Sequence, residues 1–283
     1  MIGAQCDENQ LSQCKRVING RPSVQPVSWP WLLSIRAMNE HMCGASLISD
    51  EWALTAAHCL FDEYNDMVHP GKLVVVAGKL SEITVVFKVH SVGAKSTTGL
   101  DGMPYNVMQF FIHPLYNPFV FPGPYDIALI RLSRRLQIPP VRLPVSGAPI
   151  TDAECWVAVS GWGYSTVPVK VGPLVLLEAP LPLVEPFLCN SINPRLQLCA
   201  RGVGTSPCQG DSGGPLLCND NGKWVLQGIT SFGNEYCVPS KPCVFTRVNA
   251  FIDWIALTMK GKTFCNVYVP QKSLLKLICF LIK

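Results

Sequence analysis

The chain is poor in charge. Asp, Glu, Lys and Arg supply 15% of its 283 residues, and the formal net charge of +4 is spread without any basic run. Phosphate binding needs concentrated Lys and Arg, so nucleic acid is not expected as a partner. The most apolar run, Ser273-Leu274-Leu275-Lys276-Leu277-Ile278-Cys279-Phe280-Leu281-Ile282-Lys283, falls short of the ~20 residues that cross a bilayer, and membrane binding is not expected either. Closely spaced pairs of Cys-x-x-Cys motifs are missing, which removes the common zinc signature. Asp66, Glu82 and Asp101 do not reproduce a calcium loop. The expectation is therefore no metal and no cofactor. With no Asn-x-Ser/Thr sequon, N-glycosylation is not expected. Internal repeats and low-complexity tracts are absent. Met1-Ile2-Gly3-Ala4-Gln5 leads straight into polar residues, without an apolar segment of signal-peptide length.

Cysteine, by contrast, is plentiful. Thirteen cysteines argue for an oxidising compartment, and the expectation is a secreted product whose leader is missing from this sequence. Hydrophobic residues reach 48%, enough for a core in one large domain or two small ones. Short β-rich runs at 31–35, 46–48, 73–77, 83–89, 127–132, 156–159, 223–229 and 244–248 alternate with turns such as Pro122-Gly123-Pro124. That is an all-β pattern. Residues 93–105 read as an extended polar loop, and 251–257 have apolar spacing suited to a closing helix.

The chemistry concentrates in Cys208-Gln209-Gly210-Asp211-Ser212-Gly213-Gly214-Pro215. Its glycines permit a sharp turn and close approach of a substrate. The turn can aim the N–H groups of Gly210 and Ser212 at one point, where a carbonyl oxygen gains charge. A serine hydroxyl needs a base, and the base needs an orienting group. Thr55-Ala56-Ala57-His58-Cys59 offers the base and Tyr125-Asp126-Ile127-Ala128-Leu129 the carboxylate. Singly, these could be a solubilising turn, a core histidine and a cap. Together with Ser160-Gly161-Trp162-Gly163 and Ser231-Phe232-Gly233, they make the stretch from about Arg16 to Thr258 resemble the chymotrypsin-fold (trypsin-like) serine proteases. Ser28-Trp29-Pro30-Trp31 and Leu177-Glu178-Ala179 look like acrosin and plasmin. Ser231-Phe232-Gly233 and Val244-Phe245-Thr246-Arg247-Val248 look more like pancreatic elastases.

The resemblance implies two six-stranded antiparallel β-barrels, with the active site between them and a C-terminal helix. Residues 1–16 would be an activation peptide, 17–261 the peptidase domain, and 262–283 an apolar tail of unknown role. His58, Asp126 and Ser212 would form the catalytic triad, Ser231 would bond to Asp126, and Gly210 with Ser212 would form the oxyanion hole. Cys43–Cys59, Cys155–Cys218, Cys189–Cys199 and Cys208–Cys237 would be bridged. That leaves Cys6, Cys14, Cys243, Cys265 and Cys279, with Cys6–Cys14 as one pairing. Lys15-Arg16-Val17-Ile18 would be an activation site rather than a plain strand entry. A cut after Arg16 would free the Val17 ammonium to pair with Asp211, a burial that is costly unless both partners are present.

Implied partners are protein or peptide substrates, an activating protease and protein protease inhibitors. The rival reading is a catalytically inactive homologue acting as a binding protein. Such proteins usually lose a triad member or an oxyanion glycine, and all are present here. The substrate pocket would comprise Ser206, Pro207, Ser231, Gly233 and Cys243. Ser206 stands where trypsin-like relatives carry aspartate, and a neutral hydroxyl cannot repay the desolvation of a substrate Lys or Arg. With Cys243 shortening the pocket, the expectation is cleavage after Leu, Met, Val or Ala. The alternative is that Cys243 pairs with another spare cysteine and deforms the wall.

Overall fold

A computed structural model describes residues 20–22, 29–38, 40–79, 101–120, 122–150, 155–159, 176–190, 192–234 and 237–261. Runs such as Leu32-Leu33-Ser34-Ile35 and Ala128-Leu129-Ile130 are too apolar to leave a strand face in water. They build the first sheet. A two-residue β1 (Arg21–Pro22) is followed by β2 (Leu32–Ala37), β3 (Glu40–Leu47), β4 (Trp52–Thr55), β5 (Leu73–Lys79), β6 (Asp101–Ile112) and β7 (Ala128–Leu132). Strands β2 to β7 form a closed barrel in the order β2-β3-β4-β7-β6-β5, with β5 returning to β2. Closure leaves this sheet without an exposed edge. Leu33, Ile35, Leu47, Leu54, Leu129 and Ile130 are fully buried in it.

The second sheet comprises β1, β8 (Cys155–Val159), β9 (Leu177–Pro180), β10 (Gln197–Ala200), β11 (Pro215–Asp220), β12 (Lys223–Phe232) and β13 (Cys243–Arg247). Its order is β1-β9-β8-β11-β12-β13-β10, an antiparallel run of seven strands that forms a half-barrel beside the closed one. Helix α1 (Ile252–Met259) follows, with Ile255 buried in the same core as Leu33 and Leu129. Phe251, at its start, meets His113 edge-on at 5.2 Å, which ties the C-terminal end back to the first barrel. Trp29 and Trp224 meet edge-on at 5.0 Å across the two halves.

All four expected bridges are present: Cys43–Cys59, Cys155–Cys218, Cys189–Cys199 and Cys208–Cys237. Cys243 is free and buried, so the pairing alternative does not hold for it. Cys6, Cys14, Cys265 and Cys279 lie outside the described residues, as do the run at 83–89 and Ser160–Gly163.

One expectation needs correction. Residues 101–105 are not loop but the first half of β6, with Lys79 opposite Asp101 and Val75 opposite Tyr105. Burial alternates from Tyr105 onward: Tyr105 and Val107 are buried, while Asn106 and Met108 are exposed. Alternation of that kind is what a half-buried strand requires. Residues 93–100 fall outside the described set. Among the described residues no helix is long and apolar enough to cross a membrane.

Candidate active site

Asp126 sits on the turn that enters β7, where the Ile127 N–H donates to the Tyr125 carbonyl at 2.8 Å. Its side chain is 0% exposed. An isolated carboxylate there would cost several kcal/mol, so its partners decide whether it can stay charged. The His58 backbone N–H donates to Oδ1 at 2.9 Å and His58 Nδ1 meets Oδ2 at 2.7 Å. The Ser231 hydroxyl donates to Oδ2 at 2.5 Å. The Thr246 hydroxyl donates to the Asp126 backbone carbonyl at 2.7 Å. Ser231 and Thr246 come from β12 and β13, so the second sheet grips a residue of the first.

His58 rides on a 3-10 turn, Ala57–Leu60, directly after β4. The next residue, Cys59, is bridged to Cys43 on β3, which fixes the turn to the barrel. Burial pushes the His58 pKa down, but the Asp126 charge and hydrogen bond outweigh it, and the net direction is upward from 6.5. Burial likewise pushes Asp126 up, and His58 and Ser231 together hold it below the ordinary carboxylate value. Cys43, His58 and Cys59 gather three metal-ligating atoms within 4.8 Å of one another. The two sulfurs are joined to each other, so the cluster has no thiolate to offer.

Ser212 lies on the turn ahead of β11. Gly44 of β3 donates its N–H to the Ser212 carbonyl at 2.8 Å, and the Gly213 N–H donates to Thr230 at 2.8 Å. Gly213 has φ +76, and a Cβ on it would run into the Thr55 hydroxyl and the Gly44 carbonyl. Only glycine lets the serine turn press so closely against the segment leading into His58. Nearby amides are used inside the turn: Asp211 donates to Cys208 at 3.0 Å and Gly214 to Asp211 at 3.0 Å. The amides of Gly210 and Ser212 have no acceptor among the described residues. Both residues are half-buried, so their amides remain accessible to a ligand atom that carries negative charge.

Asp211 is 0% exposed, and its Oδ2 accepts the Cys208 N–H at 2.8 Å. Arg16 and Val17, expected to act with it, lie outside the described residues. A further contact has no signature in the sequence. His41 Nε2 lies 2.7 Å from the Gly210 carbonyl oxygen, and Nδ1 lies 2.9 Å from the Ser34 hydroxyl. A carbonyl only accepts, so Nε2 carries a proton there. His41 of β3, braced by Ser34 of the neighbouring β2, thus fixes the peptide plane that follows Gly210. A 169-residue separation between His41 and Gly210 leaves no local pattern to find.

Of the residues expected to line the pocket, Ser206, Gly233 and Cys243 lie together, while Ser231 is engaged with Asp126. Ser206 is buried, its hydroxyl donating to the Pro207 carbonyl at 3.0 Å. The Cys243 sulfur lies 3.5 Å from the Ser206 hydroxyl. On its other side, a Cβ added to Gly233 would fall 2.9 Å from that sulfur. The sulfur therefore fills the space between Ser206 and Gly233. Burial pushes the thiol pKa up; the Ser206 hydrogen bond opposes this and the Asp211 charge adds to it.

Comparison with known proteins agrees with this geometry. The family model Trypsin matches residues 18–255. The chain is 35% identical over 264 residues to "Chymotrypsin-like elastase family member 3B" of Macaca mulatta, covering 86% of this chain and 93% of that protein. A match of this extent, joined to the two-sheet fold, settles the class: the chain belongs to the trypsin family of chymotrypsin-fold serine proteases, with elastase resemblance.

Proposed function

We propose that the chain is a serine endopeptidase made as a zymogen, cutting peptide bonds after small to medium apolar residues. The observation that carries this reading is the buried Asp126 carboxylate, bonded to His58 and Ser231, beside a turn whose Gly210 and Ser212 amides have no acceptor among the described residues. His58 takes the Ser212 proton as Oγ adds to the carbonyl carbon, and Asp126 holds the tautomer protonated on Nδ1. The Gly210 and Ser212 N–H groups receive the oxyanion. Collapse breaks the C–N bond, and His58 returns its proton to the leaving amine. Water then repeats the sequence on the acyl-enzyme and frees Ser212.

Residues 1–16 serve as activation peptide, 17–261 as peptidase domain, and 262–283 as a tail whose role the reading leaves unassigned. An activating protease cuts between Arg16 and Val17. The buried Asp211 carboxylate supports this, because it sits between the two oxyanion donors where a new ammonium would order both. Four disulfides favour export to an oxidising compartment. Protein substrates and protein protease inhibitors are the partners of such an enzyme.

Fluorophosphonate labelling of the purified chain before and after nicking at Arg16 tests the reading. Labelling should rise on nicking, vanish in Ser212→Ala, and stay low in activator-treated Arg16→Gln. Undiminished labelling of Ser212→Ala would remove Ser212 as nucleophile. Full activity in uncut Arg16→Gln would remove the zymogen step. No labelling in any state would favour the inactive binding protein.

A further inference from the structure

Beyond Gly233 the surface dips into a recess of about 360 Å³. Phe232, Pro242 and Val244 give it apolar walls, and Asn190, Asn234 and Lys241 supply its polar groups. The recess stays open because the Cys189–Cys199 loop is short, its ends being 10 residues apart. That loop folds back on Asn193, whose carbonyl takes the N–H groups of Leu196 at 3.0 Å and Gln197 at 2.8 Å. Among the described residues none from 192 to 198 lines the recess.

Gly233 belongs to two places at once. It lines the recess, and its Cα also faces the Cys243 sulfur in the pocket described above. It follows directly on β12, which runs on past β11, whose last partner on β12 is Ile229. A peptide that seats the residue before its scissile bond in the pocket must pass over Gly233. Extended chain rises ~3.3 Å per residue, so a side chain two to four residues upstream reaches the recess. Lys241 is the one charged residue lining it, and among the described residues no carboxylate pairs with that lysine. A cationic side chain there would meet a like charge, while an anionic one meets the ammonium and polar amides. The apolar walls suit the methylenes of a longer acid.

We propose that this recess is a substrate subsite for an acidic side chain, Glu ahead of Asp, lying two to four residues before the scissile bond. The inference rests on the proteolytic reading. Its test uses the nicked enzyme and peptides with Leu before the scissile bond and alanine elsewhere. Glu, Gln or Lys replaces one alanine at a time, at the second, third and fourth upstream positions and at the second position beyond the bond. At one upstream position Glu should exceed Gln in kcat/KM by about three- to tenfold, the range for an exposed ion pair helped by hydrogen bonds to the recess amides. Lys should fall below Gln there. The Glu-to-Gln ratio should collapse to about one in Lys241→Ala and invert in Lys241→Glu. A ratio that survives in Lys241→Ala, or is equal beyond the scissile bond, would reduce the effect to general charge attraction and overturn the subsite. No Glu preference at any upstream position would overturn it too. If no peptide is cut at all, the proteolytic reading fails separately, and the same peptides, fluorescein-labelled, are titrated onto Ser212→Ala. Tighter binding of the Glu peptide, lost when Lys241→Ala is added, would still support the recess; equal binding would overturn it.

Discussion

The two halves of the molecule hold their site residues by different means. The first barrel is closed, carries one described disulfide, and presents Asp126 and His58 at the mouths of regular strands. The second half carries the other three bridges and presents Ser212 on a turn of glycines. A closed hydrogen-bond ladder around a core needs little further bracing. A glycine turn has no such support of its own. Yet each half also reaches across: Ser231 and Thr246 hold Asp126, while Gly44 holds Ser212 and His41 holds Gly210. The site is therefore a property of the contact between halves, and the two sides of that contact can be broken separately.

The largest effect should come from the barrel side. In Asp126→Asn the charge that raises the His58 pKa is gone, burial alone remains, and the wrong tautomer is favoured. A loss of about 10⁴ in kcat is expected, the usual consequence in Ser-His-Asp hydrolases. Steady-state kinetics on an apolar peptide would measure it, and a loss under tenfold would show that Asp126 does not orient the base. The pH profile sharpens the point. His58 must be neutral to accept a proton and its pKa is raised, so the acid limb of the parent enzyme should lie above 6.5. Stability has opposite signs for the two partners. The His58 contribution is full below its unfolded pKa and fades as pH rises through the folded one. That of Asp126, whose pKa is lowered, is full above the ordinary carboxylate value and fades as pH falls through the folded one.

Next in size is the bracing of the second half. Reducing Cys208–Cys237 by paired substitution to Ser should cost about 2–4 kcal/mol, read by urea unfolding. Its span is 29 residues against 16 for Cys43–Cys59. Loop entropy alone makes the difference about 0.5 kcal/mol. A distinctly larger gap would show that the barrel replaces its bridge by packing while the pocket side cannot. Equal losses would remove the contrast between the halves.

How far the sequence reveals this arrangement depends on the range over which each part is encoded. The serine turn, the His58 segment and the Asp126 segment each carry a local pattern, and the family resemblance links them, so the constellation is legible before any fold. The first half of β6 is not, because Gly102 and Pro104 read as turn residues and interrupt the apolar pattern that marks a strand. Strands β4, β9, β10 and β11 are short or merge with motif residues, and each has a partner far off in the chain, β7, β1, β13 and β8 respectively. His41 and Ser34 illustrate the limit. The contact of His41, held by Ser34, with Gly210 arises only once β2 and β3 pair and the serine turn docks on them.

That cross-contact gives the third prediction. In His41→Ala the Gly210 carbonyl loses its donor and the peptide plane beside the oxyanion site is free to turn. Removing an oxyanion donor outright costs ~10²–10³ in rate, and displacing its support should cost about ten- to a hundredfold. The loss should fall on kcat more than on KM, because the oxyanion exists only at the transition state. A loss confined to KM would show that His41 acts through folding or binding.

The smallest effect concerns shape and belongs wholly to the second half. The Cys243 sulfur lies between the Ser206 hydroxyl, at 3.5 Å, and the open side of Gly233, so it occupies volume that a long side chain would need. In Cys243→Gly that volume opens without adding charge. Ser206 remains neutral, so Lys and Arg gain nothing, while Phe and Tyr gain room. A hydrophobic pocket discriminates by only ~1–3 kcal/mol per methylene, which makes the shift graded. The Phe-to-Leu ratio of kcat/KM should rise on the order of tenfold, as read from a peptide library cut by the nicked enzyme. Glycine at the start of β13 costs about 0.5–1 kcal/mol in stability, too little to confuse with a change of ratio. A parent enzyme that already prefers Phe or Tyr would mean the sulfur does not fill the pocket. Dominant cleavage after Arg or Lys would mean that Ser206 does not set its polarity.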